Sequence, residues 1–322
     1  MEAAYHHAVV ALRHATSVVV CGHVRPDGDA IGSTLGVTLA LREAGIPAVP
    51  TLASRSTGPS TYAFLPGFAL FVAAEQLEAP DVFIAVDSPN AERLGLAEPL
   101  MHAARTVIVI DHHPDAQPFG AINIVDAKAA AAGELVWELA KVLEETPSND
   151  VALCCYVGLV TDTGRFSYDN TTERAFAEAA EMVAAGVDPS EIARLVYQSR
   201  SKASLAIEAR AMCRLTVVND GRVCYAWVND DDFAELGVQP EEAESLPDAV
   251  RVLGGIEVAL LLRQAGDEVR VNLRAKTGFD VGGVARRFEG GGHRAASGFT
   301  FQGTIAQLLP LLLPMLPGGE AA

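Results

Sequence analysis

The chain contains few cysteines, and no two of them form a C-x-x-C pair. The five cysteines are an odd number, and most lie in apolar runs, where a thiol behaves as a small hydrophobic side chain. This pattern excludes a disulfide framework and predicts reduced cysteines in the core. The stretch 1–17 lacks the unbroken apolar segment of a secretory signal, so we expect a cytoplasmic protein.

Long hydrophobic runs are also missing. The most apolar stretch, residues 305–316, is short for a membrane span and contains Pro310 and Pro314, so we predict a packed terminal helix and no membrane partner. The 28 glycines and 17 prolines are scattered rather than gathered in a low-complexity tract. A length of 322 residues exceeds the usual size of one domain, which predicts two domains sharing a cleft.

Positive charge is scarce: the chain has 24 Lys and Arg but 41 Asp and Glu, which gives a net charge of −17. A protein that holds long nucleic acid by neutralising many phosphates needs clustered Lys and Arg, so we expect no long duplex nucleic acid as a partner. Any polyanionic substrate should be short. The acidic total does not exclude phosphate chemistry, since acidic residues that hold divalent cations present a local positive charge.

The first 165 residues alternate strand-like and helical segments, which predicts a parallel sheet covered by helices. The predicted strands are 17–21, 81–87 and 106–111, and the predicted helices are 30–44, 133–145, 151–160 and 172–185. In such sheets ligands collect at the carboxyl ends of the strands. Each of the three predicted strands ends directly at a candidate site residue.

The character of the chain changes after Pro189. We predict a helical stretch from 189 to about 202, a hairpin of strands 215–218 and 222–228, a helix at 246–253, strands at 257–263 and 268–275, and a last strand after a glycine-rich turn. The predicted domains are therefore 1–190 and 205–322, joined by a linker at 191–204.

The segment 22–33 (GHVRPDGDAIGS) follows a predicted strand and contains His23, Asp27 and Asp29. Carboxylates and imidazole suit Mn²⁺ and similar ions, and the lack of a nearby cysteine removes the usual zinc alternative. Gly28 separates the two aspartates in an irregular turn, so each could serve a different ion. Taken alone, an Asp-rich helix cap explains this segment equally well.

Three further polar positions follow apolar elements. Asp87 ends a wholly apolar strand, and Asp111-His112-His113 ends the next one. Asp162 follows an apolar helix, where the helix dipole disfavours a carboxylate unless a positive charge compensates it. Each position is also compatible with a solvated turn. Their joint occurrence in one α/β domain favours a common metal site.

These motifs resemble the DHH phosphoesterases. The resemblance rests on H-x-x-P-D-G-D-A from His23, on Asp87, on D-H-H-P from Asp111, on T-D-T-G-R-F from Thr161, and on G-G-G-H-R-A-A-S-G-F from Gly290. Within that family the sequence is similar to the NrnA-type oligoribonucleases, also described as phosphatases of 3′-phosphoadenosine 5′-phosphate. The resemblance implies an N-terminal parallel-sheet DHH domain, a smaller C-terminal α/β domain with a mixed sheet, and an active site in the cleft between them.

The resemblance also implies roles for single residues. One Mn²⁺ would be held by His23, Asp27 and Asp87, and a second by Asp29, Asp87, His112 and Asp162, with Mg²⁺ or Co²⁺ as substitutes. Asp111 would orient the histidine pair, and His113 would contact a phosphate oxygen. The substrate's terminal nucleotide would be bound by Arg274, Gly291, Gly292, His293 and Arg294, with Arg93 as a weaker candidate.

The implied function is a Mn²⁺-dependent phosphodiesterase that degrades short RNA and dinucleotides to 5′-mononucleotides and also dephosphorylates 3′-phosphoadenosine 5′-phosphate. The alternatives are a cyclic-dinucleotide phosphodiesterase, a RecJ-like exonuclease for single-stranded DNA, a manganese pyrophosphatase and a non-catalytic nucleotide sensor. A RecJ-like enzyme needs a basic groove that this acidic sequence lacks. A pyrophosphatase would not carry the glycine-rich segment, and a sensor would have lost ligands. The sequence leaves the oligomeric state open, with a homodimer as one alternative.

Overall fold

The computed structural model describes residues 1–55, 58, 60–243 and 245–319. The chain divides into two units, Met1–Gln198 and Ser199–Ala322. The stretch predicted as a linker, 191–204, contains the end of one helix, a break and the start of the next helix.

The first unit contains a parallel sheet with the strand order β3-β2-β1-β4-β5-β6. Its strands are β1 (Val18–Cys21), β2 (Ala48–Leu52), β3 (Val72–Ala73), β4 (Val82–Val86), β5 (Thr106–Asp111) and β6 (Ile122–Val125). The predicted parallel sheet is confirmed. The order reverses between the neighbouring strands β1 and β4, and in open α/β sheets ligands bind outside the carboxyl ends of the strands at such a switch point.

Apolar side chains cover both faces of this sheet. In β1, Val18 and Val20 pack in one core cluster, whereas Val19 and Cys21 pack in another. A strand that is buried on both faces is apolar along its whole length, which explains why these strands could be recognised as continuous apolar runs. The helices of this unit are α1 (Glu2–Arg13), α2 (Gly28–Glu43), α3 (Glu98–Ala103), α4 (Ala132–Leu143), α5 (Asn149–Asp162), α6 (Glu173–Ala184) and α7 (Pro189–Tyr197).

Helices α2 and α5 pack with their backbones in close approach. A Cβ atom on Gly32 would lie 2.4 Å from the carbonyl oxygen of Cys154, and one on Gly28 would lie 2.4 Å from Oγ1 of Thr161. Only glycine permits this approach, because a side chain would force the helices apart. The packing holds the first turn of α2 against the last turns of α5.

The second unit contains a mixed sheet with the strand order β11-β12-β10-β9-β8-β7, in which only β8 and β9 are parallel among the described pairs. Its strands are β7 (Thr216–Val218), β8 (Val223–Asn229), β9 (Val258–Ala265), β10 (Glu268–Ala275), β11 (Gly291–Gly292) and β12 (Ala296–Gln302). Its helices are α8 (Lys202–Cys213), α9 (Asp230–Leu236), α10 (Leu246–Arg251), α11 (Val281–Arg286) and α12 (Ile305–Leu312). The predicted mixed sheet and the hairpin of β7 and β8 are confirmed.

The prediction of one helical stretch from 189 to about 202 is wrong. Helix α7 ends at Tyr197, and α8 begins at Lys202. Ser201 caps α8, since its side chain accepts a hydrogen bond from the backbone N–H of Ser204. Within the described part of the chain, no helix has the length and apolar character needed to cross a membrane.

Candidate metal centre

All eight residues predicted for the metal cluster lie in the first unit, at the ends of its elements. His23, Asp87 and the pair His112-His113 follow β1, β4 and β5, and Asp111 is the last residue of β5. Asp27 and Asp29 lie at the start of α2, and Asp162 is the last residue of α5. The structure brings six of these side chains together in two groups that share Asp87, and Asp111 and His113 form a further group with Asp87.

The first group consists of His23, Asp27 and Asp87, whose candidate ligand atoms lie within 4.8 Å of one another. The Nε2 atom of His23 is 3.3 Å from Oδ2 of Asp87 and 3.9 Å from Oδ1 of Asp27. Its Nδ1 atom lies 2.8 Å from the carbonyl oxygen of Val24. Because a carbonyl only accepts hydrogen bonds, Nδ1 carries the hydrogen, and a neutral His23 therefore turns its Nε2 lone pair toward the carboxylates.

The second group surrounds the Nε2 atom of His112. Oxygens of Asp29, Asp87 and Asp162 lie 3.7, 3.5 and 3.5 Å from this nitrogen. These separations are longer than ordinary hydrogen bonds. The Nδ1 atom of His112 faces the carbonyl oxygen of Ala129 at 3.4 Å. A neutral His112 therefore also presents its Nε2 lone pair to the carboxylates, as a histidine ligand of a cation does.

Asp87 belongs to both groups and has an unusual backbone. Its φ angle is 52°, a left-handed conformation that non-glycine residues rarely adopt. The side chain is almost fully buried, and its Oδ1 atom has no hydrogen-bond partner among the described residues. A strained backbone and a buried carboxylate oxygen without a donor together indicate a functional position.

Asp29 is held by the start of helix α4. Its Oδ2 atom accepts a 2.6 Å hydrogen bond from the N–H of Ala132, and its Oδ1 atom accepts hydrogen bonds from the N–H of Gly133 at 2.9 Å and from Oγ of Ser33 at 2.8 Å. A Cβ atom on Gly158 of α5 would lie 2.5 Å from Oδ1. Sequence reasoning missed Ser33 and Gly158, although a glycine inside the apolar run 151–160 is a signal of close packing.

The ring of His113 is hydrogen-bonded to Asp111. Its Nδ1 atom donates a 2.8 Å hydrogen bond to Oδ1 of Asp111, a fully buried carboxylate. The same nitrogen lies 3.6 Å from Oδ1 of Asp87. Asp111 thus fixes the ring of His113 beside Asp87.

The pKa shifts in the cluster reflect burial and the closely spaced carboxylates. Burial, together with the nearby charges of Asp27 and Asp87 and against that of His112, raises the pKa of Asp162 to about 6. Burial and the charge of Asp87 also raise the pKa of Asp29. For His23, burial lowers the pKa, but the Asp87 hydrogen bond and the charge of Asp27 outweigh it and raise the pKa to about 9.

The glycine-rich segment lies at the edge of the second unit's sheet. A Cβ atom on Gly290 would lie 2.3 Å from the carbonyl oxygen of Gly298, and one on Gly292, where φ is 122°, would lie 2.7 Å from that of Ala296. Close strand packing therefore requires both glycines. A Cβ on Gly291 would meet no atom within 4 Å, and Gly291 is exposed.

The arginine side chains predicted to bind the nucleotide in the second unit have partners within the protein. Arg274 donates from Nε to Oδ1 of Asp248 at 3.1 Å, and Arg294 donates from Nε to the carbonyl oxygen of Gly278 at 3.0 Å. Arg294 is exposed, and His293 is half-buried. The weaker candidate Arg93 lies in the first unit, where its Nε atom is buried without a hydrogen-bond partner among the described residues and its charge opposes protonation of His23.

Comparison with known proteins identifies the domains. The sequence profile of the DHH family, N-terminal domain, matches residues 17–159, and that of the DHHA1 domain matches residues 220–315. The chain is similar to the bifunctional oligoribonuclease and PAP phosphatase NrnA of Bacillus subtilis (strain 168), with 29% identity over 88% of each chain. The NrnA of Thermus thermophilus is also 29% identical, over 89% of this chain and 84% of the relative.

A solved structure has the same fold. It is an exopolyphosphatase-related protein from Bacteroides fragilis, with a TM-score of 0.89, 24% identity, and coverage of 97% of this chain and 94% of that chain. The motifs, the two sheets and both matching profiles agree, and the chain belongs to the DHH family of phosphoesterases, with a DHH domain followed by a DHHA1 domain.

Proposed function

We propose that this protein is a Mn²⁺-dependent phosphodiesterase that hydrolyses short oligoribonucleotides and dinucleotides to 5′-mononucleotides and removes a phosphate from 3′-phosphoadenosine 5′-phosphate. The observation that carries the proposal is the pair of ligand groups sharing Asp87. Two cations about 3.5–4 Å apart clamp the attacking and leaving oxygens in many phosphoester hydrolases. The similarity to NrnA proteins over most of the chain supports the choice of substrates.

The residues present fit two divalent cations. Oxygen and imidazole nitrogen atoms are the ligands that Mn²⁺ and similar ions prefer, and the buried Oδ1 of Asp87 has no donor among the described residues. We assign His23, Asp27 and Asp87 to one cation, and Asp29, Asp87, His112 and Asp162 to the other. When bound, the cations lower the pKa of the attacking water and neutralise charge on the phosphoryl oxygens. Mg²⁺ and Co²⁺ are possible substitutes for Mn²⁺.

His113 contributes a hydrogen-bond donor to the phosphate. Burial lowers the pKa of His113, but the hydrogen bond to Asp111 and the charge of Asp87 outweigh this effect and raise the pKa. The ring is therefore protonated more readily than an ordinary histidine. With Nδ1 engaged by Asp111, Nε2 is the atom that donates to a phosphoryl oxygen.

Binding of the nucleotide is assigned to Arg274, Gly291, Gly292, His293 and Arg294 of the DHHA1 domain. The exposed position of Gly291 supports this assignment, because N–H groups in a glycine-rich segment can approach an anion closely. The five cysteines are free, which suits the reducing cytoplasm that we propose as the location. A homodimer is compatible with this function.

A substrate panel tests the proposal. RNAs of two to ten nucleotides, 3′-phosphoadenosine 5′-phosphate, cyclic dinucleotides, single-stranded DNA and pyrophosphate are incubated with the protein and Mn²⁺. We expect the fastest release of 5′-mononucleotides from the shortest RNAs. Preferred cleavage of cyclic dinucleotides, long DNA or pyrophosphate would contradict the proposed substrates.

A pair of variants tests the role of Asp87 in that panel. Asp87→Ala removes the residue shared by both ligand groups, so we expect turnover to be abolished. Asp81→Ala changes the same residue type just before the other end of β4, where the carboxylate accepts hydrogen bonds from Thr16. The control should retain turnover, and an active Asp87→Ala protein would overturn the two-cation assignment.

A further inference from the structure

The backbone of residues 129–133, which we call the alanine segment, contacts the second ligand group. The carbonyl of Ala129 faces Nδ1 of His112, and the N–H groups of Ala132 and Gly133 donate to Asp29. Two of the four assigned ligands of one cation are thus oriented by this short stretch. The position of the segment therefore determines the geometry of the second group.

Asn170 links the alanine segment to a third ligand. Its Nδ2 atom donates to the carbonyl oxygen of Ala130 at 2.9 Å and to that of Asp162 at 3.2 Å. The same nitrogen lies 3.5 Å from Oδ2 of Asp162. Through this side chain, the segment and the last residue of α5 keep a common position.

The alanine segment cannot hold itself in place by its own side chains. Residues 129–132 are all alanine, and all are buried. Methyl groups pack without directional contacts, so polar groups outside the segment contribute to its position. One such group is the fully buried Glu134, whose Oε2 atom accepts a 3.0 Å hydrogen bond from the N–H of Ala130.

Arg174 on helix α6 ties both ends of the segment together. Its Nη1 atom donates to Oδ2 of Asp126, before the segment, at 3.0 Å. Its Nε atom lies 2.6 Å from Oε1 of Glu134, after the segment, and donates to Glu178 at 3.1 Å. A planar guanidinium with several donors can bridge carboxylates in this way, whereas an ammonium group cannot fix the same geometry.

We propose that Arg174 and Asn170 are positioning residues for the second ligand group, acting through the alanine segment on Asp29, His112 and Asp162. The inference rests on the proposed function, because it assumes that this group binds a cation. Arg174 has no contact with the assigned ligands among its described interactions, so its effect must travel through Glu134 and the segment. Groups that orient metal ligands typically change metal affinity by 10–100-fold when they are removed.

The test is a calorimetric titration of the metal-free protein with Mn²⁺, without substrate. For Arg174→Met we expect one Mn²⁺ to bind about 10–100-fold more weakly and the other to keep its affinity. Arg174→Lys should restore only part of the loss. Arg194→Met is the matched control, since Arg194 is an exposed arginine in the same unit that pairs with Glu191 on its own helix. Both Mn²⁺ affinities of Arg194→Met should equal those of the wild-type protein.

Asn170→Ala keeps the inference testable if Arg174→Met does not fold, because it removes only an amide at the same segment. We expect this variant to weaken one Mn²⁺ site selectively as well. Folded variants that bind both ions with wild-type affinity, or that lose both affinities equally, would overturn the inference. A wild-type protein that binds fewer than two Mn²⁺ would instead contradict the proposed metal centre, so the two failures are distinguishable.

Discussion

Replacing Gly158 by alanine should damage the metal centre from a position that contributes no ligand. The new Cβ atom would lie 2.5 Å from Oδ1 of Asp29. Carbon and oxygen atoms in close contact are usually about 3.3–3.6 Å apart, so the carboxylate must move by roughly 0.8–1.1 Å or helix α5 must retreat. Retreat of α5 is costly, because α2 and α5 already touch through Gly28 and Gly32.

The expected result for Gly158→Ala is a fall in kcat of roughly 10²-fold, since a misplacement of about 1 Å has this effect on catalytic geometry. Mn²⁺ affinity should fall at one site. The free energy of unfolding should fall by about 1–3 kcal/mol, as for other overpacked interfaces. Steady-state kinetics on a diribonucleotide, Mn²⁺ titration and urea denaturation measure the three quantities.

Gly36→Ala is the matched control for Gly158→Ala. Its Cβ atom would lie 2.9 Å from Sγ of Cys155, in the same helix interface but away from the ligands. We expect this variant to lose stability while keeping its kcat and both Mn²⁺ affinities. A Gly158→Ala protein with wild-type kcat and Mn²⁺ binding would refute the reasoning about Asp29.

Three further predictions concern other parts of the chain. Arg274→Ala should raise KM for diribonucleotides about tenfold with little change in kcat. Arg270→Ala, on the same strand, should change neither KM nor kcat. An unchanged KM for Arg274→Ala would show that Arg274 is not part of the nucleotide site. Burial and the charge of Glu134 raise the pKa of Glu178 from 4.5 to about 9, so the folded chain holds a proton that the unfolded chain has released. The free energy of unfolding, measured in urea, should therefore fall as pH rises from about 5 to 9, and Glu178→Gln should flatten this slope; an equal slope in both proteins would contradict the assignment. In the native protein a thiol reagent should rapidly modify Cys213 alone, because Cys213 is exposed and the other four cysteines are buried. Rapid modification of two or more cysteines would contradict this packing.

The sequence indicated the candidate site better than its surroundings, because polar residues that directly follow apolar strands can be recognised from the local sequence. Predicted strand 106–111 has the bounds of β5, and predicted strand 81–87 differs from β4 by one residue at each end. The unfavourable position of the Asp162 carboxylate at the C-terminal end of a helix could also be recognised from the sequence. In the structure its carboxylate lies 3.5 Å from His112.

Strand β2 could not be recognised because it contains Pro50, a residue that normally argues against a central strand. The structure tolerates it since β3 pairs only with Thr51 and Leu52, so no partner on that side needs the missing N–H of Pro50. The contacts of Asp29 with α4, and of Arg174 with both ends of the alanine segment, join residues far apart in the chain. Such contacts follow from tertiary packing, and no local pattern reports them.

The most direct test of the central claim is a crystal structure of the protein with Mn²⁺, using anomalous diffraction at the manganese edge. We expect two manganese peaks, one bound by His23, Asp27 and Asp87 and the other by Asp29, Asp87, His112 and Asp162. Asp87 should contact both. A single peak, or two peaks without Asp87 between them, would contradict the two-cation centre.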